Sequence, residues 1–375
     1  MKVLITGAGG FIGSNLELHL AERKDVEVLR FTRSHDAELL PELLRGVDFI
    51  FHFAGVNRPQ DPAEFNTGNA GLTQALCNAV CEVAATTGKK LPIVCTSSTQ
   101  AALDNPYGQS KLAAEVALIA ARASHGVPVH IFRLPNVFGK WCKPNYNSAV
   151  ATFCHNIARG LPIQVNELAA PVTLVYVDDV IARFVQLMDG ADEAVSSDNF
   201  STIAPQYTIT VGQLAQMIQS FKDSRNTLVT ERVGIGLVRA LYATYVSYLP
   251  VESFTYPVPQ YADPRGVFVE MLKTPDCGQF SFFNAHPGVT RGGHYHHSKT
   301  EKFLLIKGIA RFKFRHMRTG QTHELVTTGD KSEIVETVPG WTHDITNIGA
   351  EEMVVMLWSN EVFDRERPDT FACAV

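Results

Sequence analysis

Short apolar runs alternate with longer amphipathic stretches over the first half of the chain. Runs rich in β-branched and aromatic residues predict strands at Val3–Thr6, Val26–Phe31, Phe49–Phe53, Ile93–Ser97 and Val129–Arg133. Apolar positions recur at helical spacing between them, which predicts helices at Ile12–Arg23, Leu72–Thr86 and Tyr107–Ser124. Because strands that alternate with helices are joined by right-handed crossovers, the pattern predicts an α/β domain with a Rossmann-type, doubly wound parallel sheet.

The pattern changes beyond residue 248. Helices predicted at 212–222 and 231–248 are followed by a proline-rich segment, 249–264, which indicates a linker. Short strand-like runs then follow at Val267–Leu272, Gln279–Asn284, Lys302–Ile306, Ala310–Arg315, His323–Thr327, Glu333–Val338 and Met353–Trp358. Regular short strands without helices predict an all-β barrel or sandwich. We therefore expect two domains, 1–248 and 265–375.

Charge and cysteine content narrow the partners and the compartment. The formal net charge is −5 and there is no basic block, so we expect neither nucleic acid nor a membrane surface as a partner. No apolar run reaches the roughly 18 residues of a membrane span, and the opening turns to glycines before a signal peptide could form. The seven cysteines are scattered and never form Cys-x-x-Cys, which indicates a reducing, cytoplasmic location.

A glycine-rich turn directly follows the first predicted strand. In the segment Thr6-Gly7-Ala8-Gly9-Gly10-Phe11-Ile12-Gly13, Gly7 allows the tight turn and Gly10 lets a pyrophosphate approach the backbone. Gly13 permits close packing of helix on strand, and the helix start at Phe11 and Ile12 offers free N–H groups to phosphates. The segment therefore predicts a dinucleotide cofactor.

The end of the second predicted strand bears on which dinucleotide binds. A carboxylate there would bind the ribose 2′-hydroxyl of NAD, but the sequence has Arg33 and no acid until Asp36. Arg33 can pair with a 2′-phosphate, which favours NADPH. A solvated surface arginine is the alternative.

Tyr107 and Lys111 lie four residues apart, on one face of a predicted helix. An ammonium beside a phenol lowers the pKa of the phenol, which would make Tyr107 a proton donor near neutral pH. Ser98 stands at the end of the preceding strand, where its hydroxyl can hold a substrate oxygen. A purely structural i, i+4 pair is the alternative for Tyr107 and Lys111.

The first half of the chain resembles an extended short-chain dehydrogenase/reductase of the nucleotide-sugar type. The supporting matches are the glycine turn, Phe53-Ala54-Gly55, Asn69, Arg133–Gly139 and Val175–Asp179. The resemblance implies catalytic places for Ser98, Tyr107 and Lys111. It also implies a cofactor site at Gly7, Gly10, Phe11, Ile12, Gly13, Arg33, Ala54, Gly55, Tyr107 and Lys111. Sugar 4,6-dehydratases of that family carry Asp-Glu where this chain has Thr99-Gln100, so ketone reduction is favoured over loss of water.

Histidines concentrate in the second predicted domain, which holds seven of the 13. Period-two spacing places His294 and His296 on one face of a strand, and Glu301 can reach in from the next strand. His343 supplies a fourth ligand. Three imidazoles and a carboxylate suit zinc, iron, nickel or manganese, of which zinc is favoured. His297 could replace His296, or act as a neighbouring polar or catalytic group.

The spacing of these residues resembles the two motifs of the cupin family, Gly288-x5-His294-x-His296-x4-Glu301-x6-Gly308 and Pro339-Gly340-x2-His343-x3-Asn347. Arg265–Phe268 and Arg291–Tyr295 also resemble motifs of nucleotide-4-keto-sugar 3,5-epimerases, in which the motif histidine is the base. If His294 binds a metal, it cannot also be that base. The metal could instead serve stability alone, or the barrel could be a dimerisation module.

The fusion of the two parts resembles bifunctional enzymes of capsular polysaccharide precursor synthesis. The likeness extends to Asn57-Arg58-Pro59, Asp104–Gly108, Phe138–Ser148 and Tyr245–Pro250. It implies epimerisation at carbon 3 of a UDP-2-acetamido-2,6-dideoxy-4-hexulose by the cupin and NADPH reduction at carbon 4. The product would be UDP-2-acetamido-2,6-dideoxy-L-talose, a precursor of N-acetyl-L-fucosamine. We expect the enzyme to be a homo-oligomer, namely a dimer. A non-catalytic NADP-binding sensor and a metal dioxygenase fused to a reductase are the alternatives.

Overall fold

The computed structural model of the chain describes residues 1–61, 63–191, 200–263, 266–269, 271–272, 274, 278–361 and 366–375. Arg265, named above, lies outside these ranges, and only the backbone is described for Gly266–Val269. Contacts divide the chain into two compact units. The first comprises Met1–Val137 and Thr173–Tyr207, and the second comprises Phe138–Val172 and Thr208–Val375.

The α-helices of the described residues are α1 (Phe11–Ala21), α2 (Leu40–Leu44), α3 (Ala63–Phe65), α4 (Leu72–Thr87), α5 (Pro106–His125), α6 (Ala149–Ala158), α7 (Val177–Met188), α8 (Val211–Thr227) and α9 (Gly236–Ser247). The strands are β1 (Lys2–Thr6), β2 (Glu27–Phe31), β3 (Phe49–His52), β4 (Ile93–Ser98), β5 (Val129–Leu134), β6 (Asn136–Phe138), β7 (Pro171–Tyr176), β8 (Phe200–Ser201), β9 (Tyr207–Thr210), β10 (Thr255–Pro257), β11 (Gln260–Asp263), β12 (Gly266–Val269), β13 (Gln279–Ala285), β14 (Thr290–Tyr295), β15 (Glu301–Lys307), β16 (Ile309–His316), β17 (Thr322–Thr328), β18 (Glu333–Glu336), β19 (Trp341–Asn347), β20 (Met353–Ser359) and β21 (Phe371–Ala372). Within these ranges, no helix combines the length and the apolar character that crossing a membrane would require.

The first unit is built on a parallel sheet in the order β2-β1-β3-β4-β5-β8. Every strand pair in it is parallel, with Thr6 of β1 opposite Phe31 of β2 and His52 of β3. The chain moves outward from β1 to β2 and then returns to the other side of β1 to form β3, which creates a switch point at the carboxyl edge of the sheet. The Rossmann-type parallel sheet predicted from the alternating pattern is thereby confirmed.

The second unit contains two five-stranded antiparallel sheets, in the orders β10-β18-β15-β20-β13 and β17-β16-β19-β14-β21. Strand β19 pairs with β14 so that His343 lies opposite His294. The predicted all-β character of the C-terminal part is confirmed, and the cupin barrel stays a prediction. The apolar pattern did not predict β14, because its first four residues, Thr290-Arg291-Gly292-Gly293, do not form a run of apolar or β-branched residues.

The predicted linker and domain boundaries differ from the observed packing. Within 249–264, Thr255–Pro257 forms the edge strand β10, which pairs with β18. Helices α6, α8 and α9 contact one another and belong to the compact unit that contains the β sheets. Contacts alone do not mark functional domains, so the division into a reductase domain of 1–248 and a metal-binding domain of 265–375 stays a prediction.

Candidate active site and candidate metal site

The glycine turn lies between β1 and α1 and leaves a helix end open. Gly7 has a φ of +72°, and a Cβ there would lie 2.7 Å from the backbone nitrogen of Ala54. A Cβ on Gly13 would overlap the carbonyl oxygen of Gly7, so neither position can carry a side chain. Helix α1 begins at Phe11 after Gly10 without a side-chain cap, so the N–H groups of its first turn can receive an anion.

Arg33 lies in the exposed turn that follows β2, two residues beyond Phe31. No described residue forms an ion pair with its guanidinium, although Arg30 nearby pairs with Glu17 at 3.2 Å. Arg33 is therefore available to a 2′-phosphate on a dinucleotide bound across the edge of the sheet.

We expect Arg33→Ala to lower the preference for NADPH over NADH by about 10- to 100-fold, since a charge-assisted hydrogen bond contributes roughly 1.5–3 kcal/mol. The measurement compares kcat/KM with both cofactors in the parent and in Arg33→Ala. Arg30→Ala is the matched control because Arg30 already has a carboxylate partner. Equal use of both cofactors by the parent would contradict the assignment.

The start of α5 is fixed beside the end of β4. Asn105 caps the helix by accepting a hydrogen bond from the backbone nitrogen of Gly108 at 2.8 Å. A Cβ on Gly108 would overlap the carbonyl oxygens of Gln100 and Leu103, so the first turn of α5 lies directly on the segment after β4. A glycine at this position is therefore what lets Tyr107 approach the carboxyl end of that strand.

Ser98, Tyr107 and Lys111 come together as predicted. The side chain of Ser98 lies close enough to that of Tyr107 to favour the ionised phenol. The ammonium of Lys111 lies 6.0 Å from the centre of the Tyr107 ring and donates to the carbonyl oxygen of Thr96 at 3.3 Å. A carbonyl oxygen placed between the two hydroxyls could accept from both.

The predicted direction of the Tyr107 pKa shift is wrong for this arrangement. Burial raises the pKa of Tyr107, and the nearby Ser98 side chain only partly opposes that effect. Lys111 does not reverse it, because its ammonium is directed to the Thr96 carbonyl and its own pKa is lowered by burial. The phenol therefore keeps its proton at neutral pH, which is the form that a general acid needs.

A buried ion pair lies one helical turn beyond Lys111 and was not predicted. Glu115 is 1% exposed and accepts from both Nε and Nη2 of Arg133, at 2.9 and 2.6 Å. It also accepts from the hydroxyl of Ser97, next to Ser98. The bidentate pair therefore ties α5 to β5 and to the end of β4, which holds Lys111 and Ser98 on adjacent elements.

His52, at the end of β3, links the end of β1, just before the glycine turn, to α4. Its ring is 2% exposed and lies between the hydroxyls of Thr6 and Thr73, each at 2.8 Å. Because Thr73 donates its own proton to the Asn69 carbonyl, it must accept from Nε2–H of His52. Thr6 then donates to Nδ1 and accepts from the backbone nitrogen of Ala54. The hydrogen bonds thus fix one neutral tautomer.

The Asn69 side chain continues this network to α5. Its Oδ1 accepts from the backbone nitrogen of Val56 at 2.7 Å, and its Nδ2 donates to the hydroxyl of Ser110 at 2.9 Å. Ser110 in turn donates to the carbonyl oxygen of Tyr107 at 2.8 Å. The segment around Ala54 and Gly55 is thereby positioned relative to Tyr107.

We expect His52 to make the free energy of unfolding depend on pH in the acid range. Burial, with a smaller effect of Lys111, lowers the pKa of His52 to about 3. Between about pH 3 and 6.5 the unfolded chain therefore binds one more proton than the folded chain, so the free energy of unfolding falls as the pH falls through this range. The expected slope is about 1.4 kcal/mol per pH unit.

We expect His52→Gln to remove this part of the slope, since glutamine does not titrate. Urea unfolding of both proteins at several pH values from 4 to 7 gives the difference. His125→Gln, which removes an exposed imidazole from the same unit, is the control. Identical slopes for the parent and His52→Gln would show that His52 is protonated in the folded protein.

The second unit gathers the four predicted metal ligands. One ligand atom from each of His294, His296, Glu301 and His343 lies within 4.8 Å of all the others. His296 Nε2 lies 3.1 Å and His343 Nε2 lies 3.6 Å from Oε2 of Glu301. All but His294 are buried. The predicted grouping of these residue types is therefore present.

The donor set fits a divalent cation. An ion that forms bonds of about 2.0–2.2 Å spans ligand atoms up to about 4.4 Å apart, so small side-chain shifts would suffice. Lys299 pairs with the other oxygen of Glu301 at 2.9 Å, which leaves Oε2 for the cluster. His343 Nδ1 is buried and has no hydrogen-bond partner within the described parts of the chain. These four residues could hold zinc or a similar ion.

Two details of the histidine prediction change. Strand β14 ends at Tyr295, so His296 lies in the turn after it, and the same-face argument does not apply to that residue. The rings of His294 and His296 are nevertheless 5.0 Å apart, because the turn folds back towards β15. His297 is absent from this group of four and instead packs against Tyr295 and Phe371.

Two family matches place these sites in known protein classes. Residues 3–201 match the NAD dependent epimerase/dehydratase family, and residues 261–371 match the polysaccharide biosynthesis C-terminal domain. The first match covers more than half of the chain. The chain therefore belongs to the NAD dependent epimerase/dehydratase family. A nicotinamide cofactor at the glycine turn agrees with this membership.

Full-length relatives extend the comparison. The chain is 63% identical to the UDP-2-acetamido-2,6-beta-L-arabino-hexul-4-ose reductase of Pseudomonas aeruginosa, with 100% of this chain and 99% of the relative covered. The crystal structure of the capsular polysaccharide assembling protein CapF from Staphylococcus aureus matches 100% of both chains at 40% identity and a TM-score of 0.66. The predicted likeness to a fused capsule enzyme is confirmed over the whole chain.

More distant structures match the fold alone. UDP-glucuronic acid 4-epimerase from Bacillus cereus, solved with NAD, matches 59% of this chain and 83% of its own, at 19% identity and a TM-score of 0.52.

Proposed function

We propose that the protein reduces the 4-keto group of a UDP-2-acetamido-2,6-dideoxy-4-hexulose with NADPH, after the β domain has inverted carbon 3 of the same sugar. The product is UDP-2-acetamido-2,6-dideoxy-L-talose. The observation that carries the reductase is the assembled set of Ser98, Tyr107 and Lys111 in a chain 63% identical, end to end, to a reductase named for such a 4-keto sugar. We also propose that the enzyme works as a cytoplasmic homodimer.

The residues of the first unit account for reduction at carbon 4. The glycine turn would hold the cofactor pyrophosphate, with Ala54 and Gly55 beside it and Arg33 on the 2′-phosphate. Bound NADPH supplies the hydride. Ser98 and Tyr107 donate hydrogen bonds to the ketone oxygen, and Tyr107 transfers its proton to that oxygen as carbon 4 is reduced.

Thr99 and Gln100 support reduction as the sole chemistry of this unit. Elimination of water across carbons 5 and 6 needs an acid and a base beside the catalytic serine or threonine. The side chains of Thr99 and Gln100 cannot act as this acid and base, because a hydroxyl and an amide do not titrate near neutral pH. The substrate therefore arrives as a 6-deoxy-4-keto sugar.

The histidine cluster supports epimerisation at carbon 3. A proton next to a ketone becomes acidic when the enolate oxygen is stabilised, and protonation from the opposite face then inverts the carbon. His294, His296, Glu301 and His343 would hold a divalent metal, favoured to be zinc, that supplies Lewis-acid stabilisation of this oxygen. The base that removes the proton is a separate group, because all four of these side chains are ligands.

Product analysis tests both activities at once. The 4-keto sugar is incubated with NADPH in heavy water, and the product is examined by NMR. We expect the L-talo configuration, with deuterium at carbon 3. A product reduced at carbon 4 with carbon 3 unchanged would contradict the proposed epimerase activity. Ketone that is not consumed would contradict the proposed reductase activity.

A further inference from the structure

The turn between β14 and β15 is polar throughout and yet buried. The five residues of this turn, His296 to Thr300, and the first residue of β15, Glu301, are six consecutive polar side chains that are each at most 9% exposed. Two of them, the first and the last, belong to the candidate metal site. A buried segment outside regular sheet pairing must find acceptors for its N–H groups elsewhere, since each unsatisfied group costs roughly 1–3 kcal/mol.

Asp369 satisfies three of these six groups. Its Oδ1 accepts from the backbone nitrogen of His297 at 2.8 Å. Its Oδ2 accepts from the backbone nitrogens of Ser298 and Lys299, both at 2.7 Å. The hydroxyl of Ser298 adds a fourth hydrogen bond at 3.1 Å. One carboxylate thus holds three successive N–H groups of the turn.

Two further side chains accept from the next two N–H groups. The backbone nitrogen of Thr300 donates to Oδ1 of Asn360 at 2.8 Å, and that of Glu301 donates to Oγ1 of Thr337 at 2.9 Å. Asn360 and Thr337 each hold one N–H group, whereas Asp369 holds three. The position of the turn therefore depends most on Asp369.

Asp369 also contacts a candidate ligand directly. Its backbone carbonyl oxygen accepts a hydrogen bond from Nδ1 of His296. A carbonyl can only accept, so Nδ1 carries the proton and Nε2 is directed to Glu301, 3.1 Å away. The segment that carries Asp369 is itself anchored, because β21 pairs with β14 through His294 and Ala372.

We propose that Asp369 is a positioning residue for the metal site: its carboxylate fixes the turn that joins His296 to Glu301, and its carbonyl fixes the tautomer of His296. This inference rests on the proposed metal site. Groups that orient metal-ligating histidines typically contribute 10- to 100-fold to metal affinity. Asp369 was not recognisable in the sequence because it lies far from the histidine motifs along the chain.

The test measures metal affinity on the full-length protein. Parent, Asp369→Asn and Asp369→Ser are stripped with a chelator and titrated with zinc against a chromophoric competitor, and the visible spectrum of each cobalt(II) form is recorded. Thr370→Val is the matched control, because the buried Thr370 hydroxyl has no hydrogen-bond partner among the described residues. Circular dichroism establishes that each variant is folded.

We expect a loss of zinc affinity of about 10- to 100-fold and an altered cobalt(II) spectrum for both Asp369 variants, with parent-like values for Thr370→Val. NADPH affinity serves as a control and should not change. A folded Asp369 variant that matches the parent in zinc affinity and cobalt(II) spectrum would overturn this inference while leaving the metal site intact. A parent that binds neither ion would overturn the metal site itself.

Discussion

Tyr107→Phe should lower the rate of 4-keto reduction by about 10²–10⁴-fold, the range typical for loss of a general acid. Burial raises the pKa of Tyr107, so the phenol keeps the proton that it donates at neutral pH. Phenylalanine keeps the aromatic ring, whose centre lies 5.8 Å from the centre of the Phe65 ring. The start of α5 should therefore not move. Single-turnover oxidation of NADPH, followed by absorbance, measures the loss.

NADPH binding separates a chemical role of Tyr107 from a structural one. We expect Tyr107→Phe to bind NADPH with near-parent affinity, because the lost proton acts on the substrate ketone. Tyr242→Phe removes a hydroxyl from a buried tyrosine of the other unit and should keep parent turnover. Near-parent reduction by Tyr107→Phe would mean that another group is the acid.

His343→Ala should lower the rate of exchange of the carbon 3 proton by about 10²-fold or more. The first unit should still bind NADPH. Removing one imidazole from the four-ligand cluster weakens metal binding and so the stabilisation of the enolate oxygen. The measurement is deuterium incorporation from heavy water into the 4-keto sugar without NADPH. Leaving the cofactor out isolates the epimerase from the reductase.

Folding must be established for that variant, since a metal site can stabilise the domain that holds it. Circular dichroism should show parent strand content for His343→Ala. His323→Ala is the matched control, because His323 packs on Phe254 and Phe314 and lies outside the four-ligand cluster. A folded His343→Ala that exchanges the proton at the parent rate would reduce the metal to a structural role.

Local patterns in the sequence were sufficient to predict much of the fold and the grouping of residues at both candidate sites. The five strands predicted in the first half lie within one residue of β1 to β5. Gly7 and Gly13 were recognisable because a tight turn and a close helix–strand contact leave no room for a Cβ. The spacing of His294, Glu301 and His343 likewise predicted a cluster that the structure brings together.

Long-range contacts account for what the sequence did not predict. His52 is neutral because burial lowers its pKa, and Thr6 and Thr73, on other elements, fix its tautomer. Asp369 reaches the turn at 296–300 only because β21 pairs with β14. The direction of the Tyr107 pKa shift depends on burial and on the side-chain direction of Lys111, and spacing along a helix gives neither.

Hydride transfer to carbon 4 of the sugar is the most direct test of the reductase. NADPH deuterated at the transferable position of the nicotinamide is incubated with the UDP-4-keto sugar in ordinary water, and the product is analysed by NMR and mass spectrometry. We predict one deuterium per product molecule, located at carbon 4, and none in the product made with unlabelled NADPH. Deuterated NADPH that is oxidised without label at carbon 4, or that is not oxidised at all, would contradict the account.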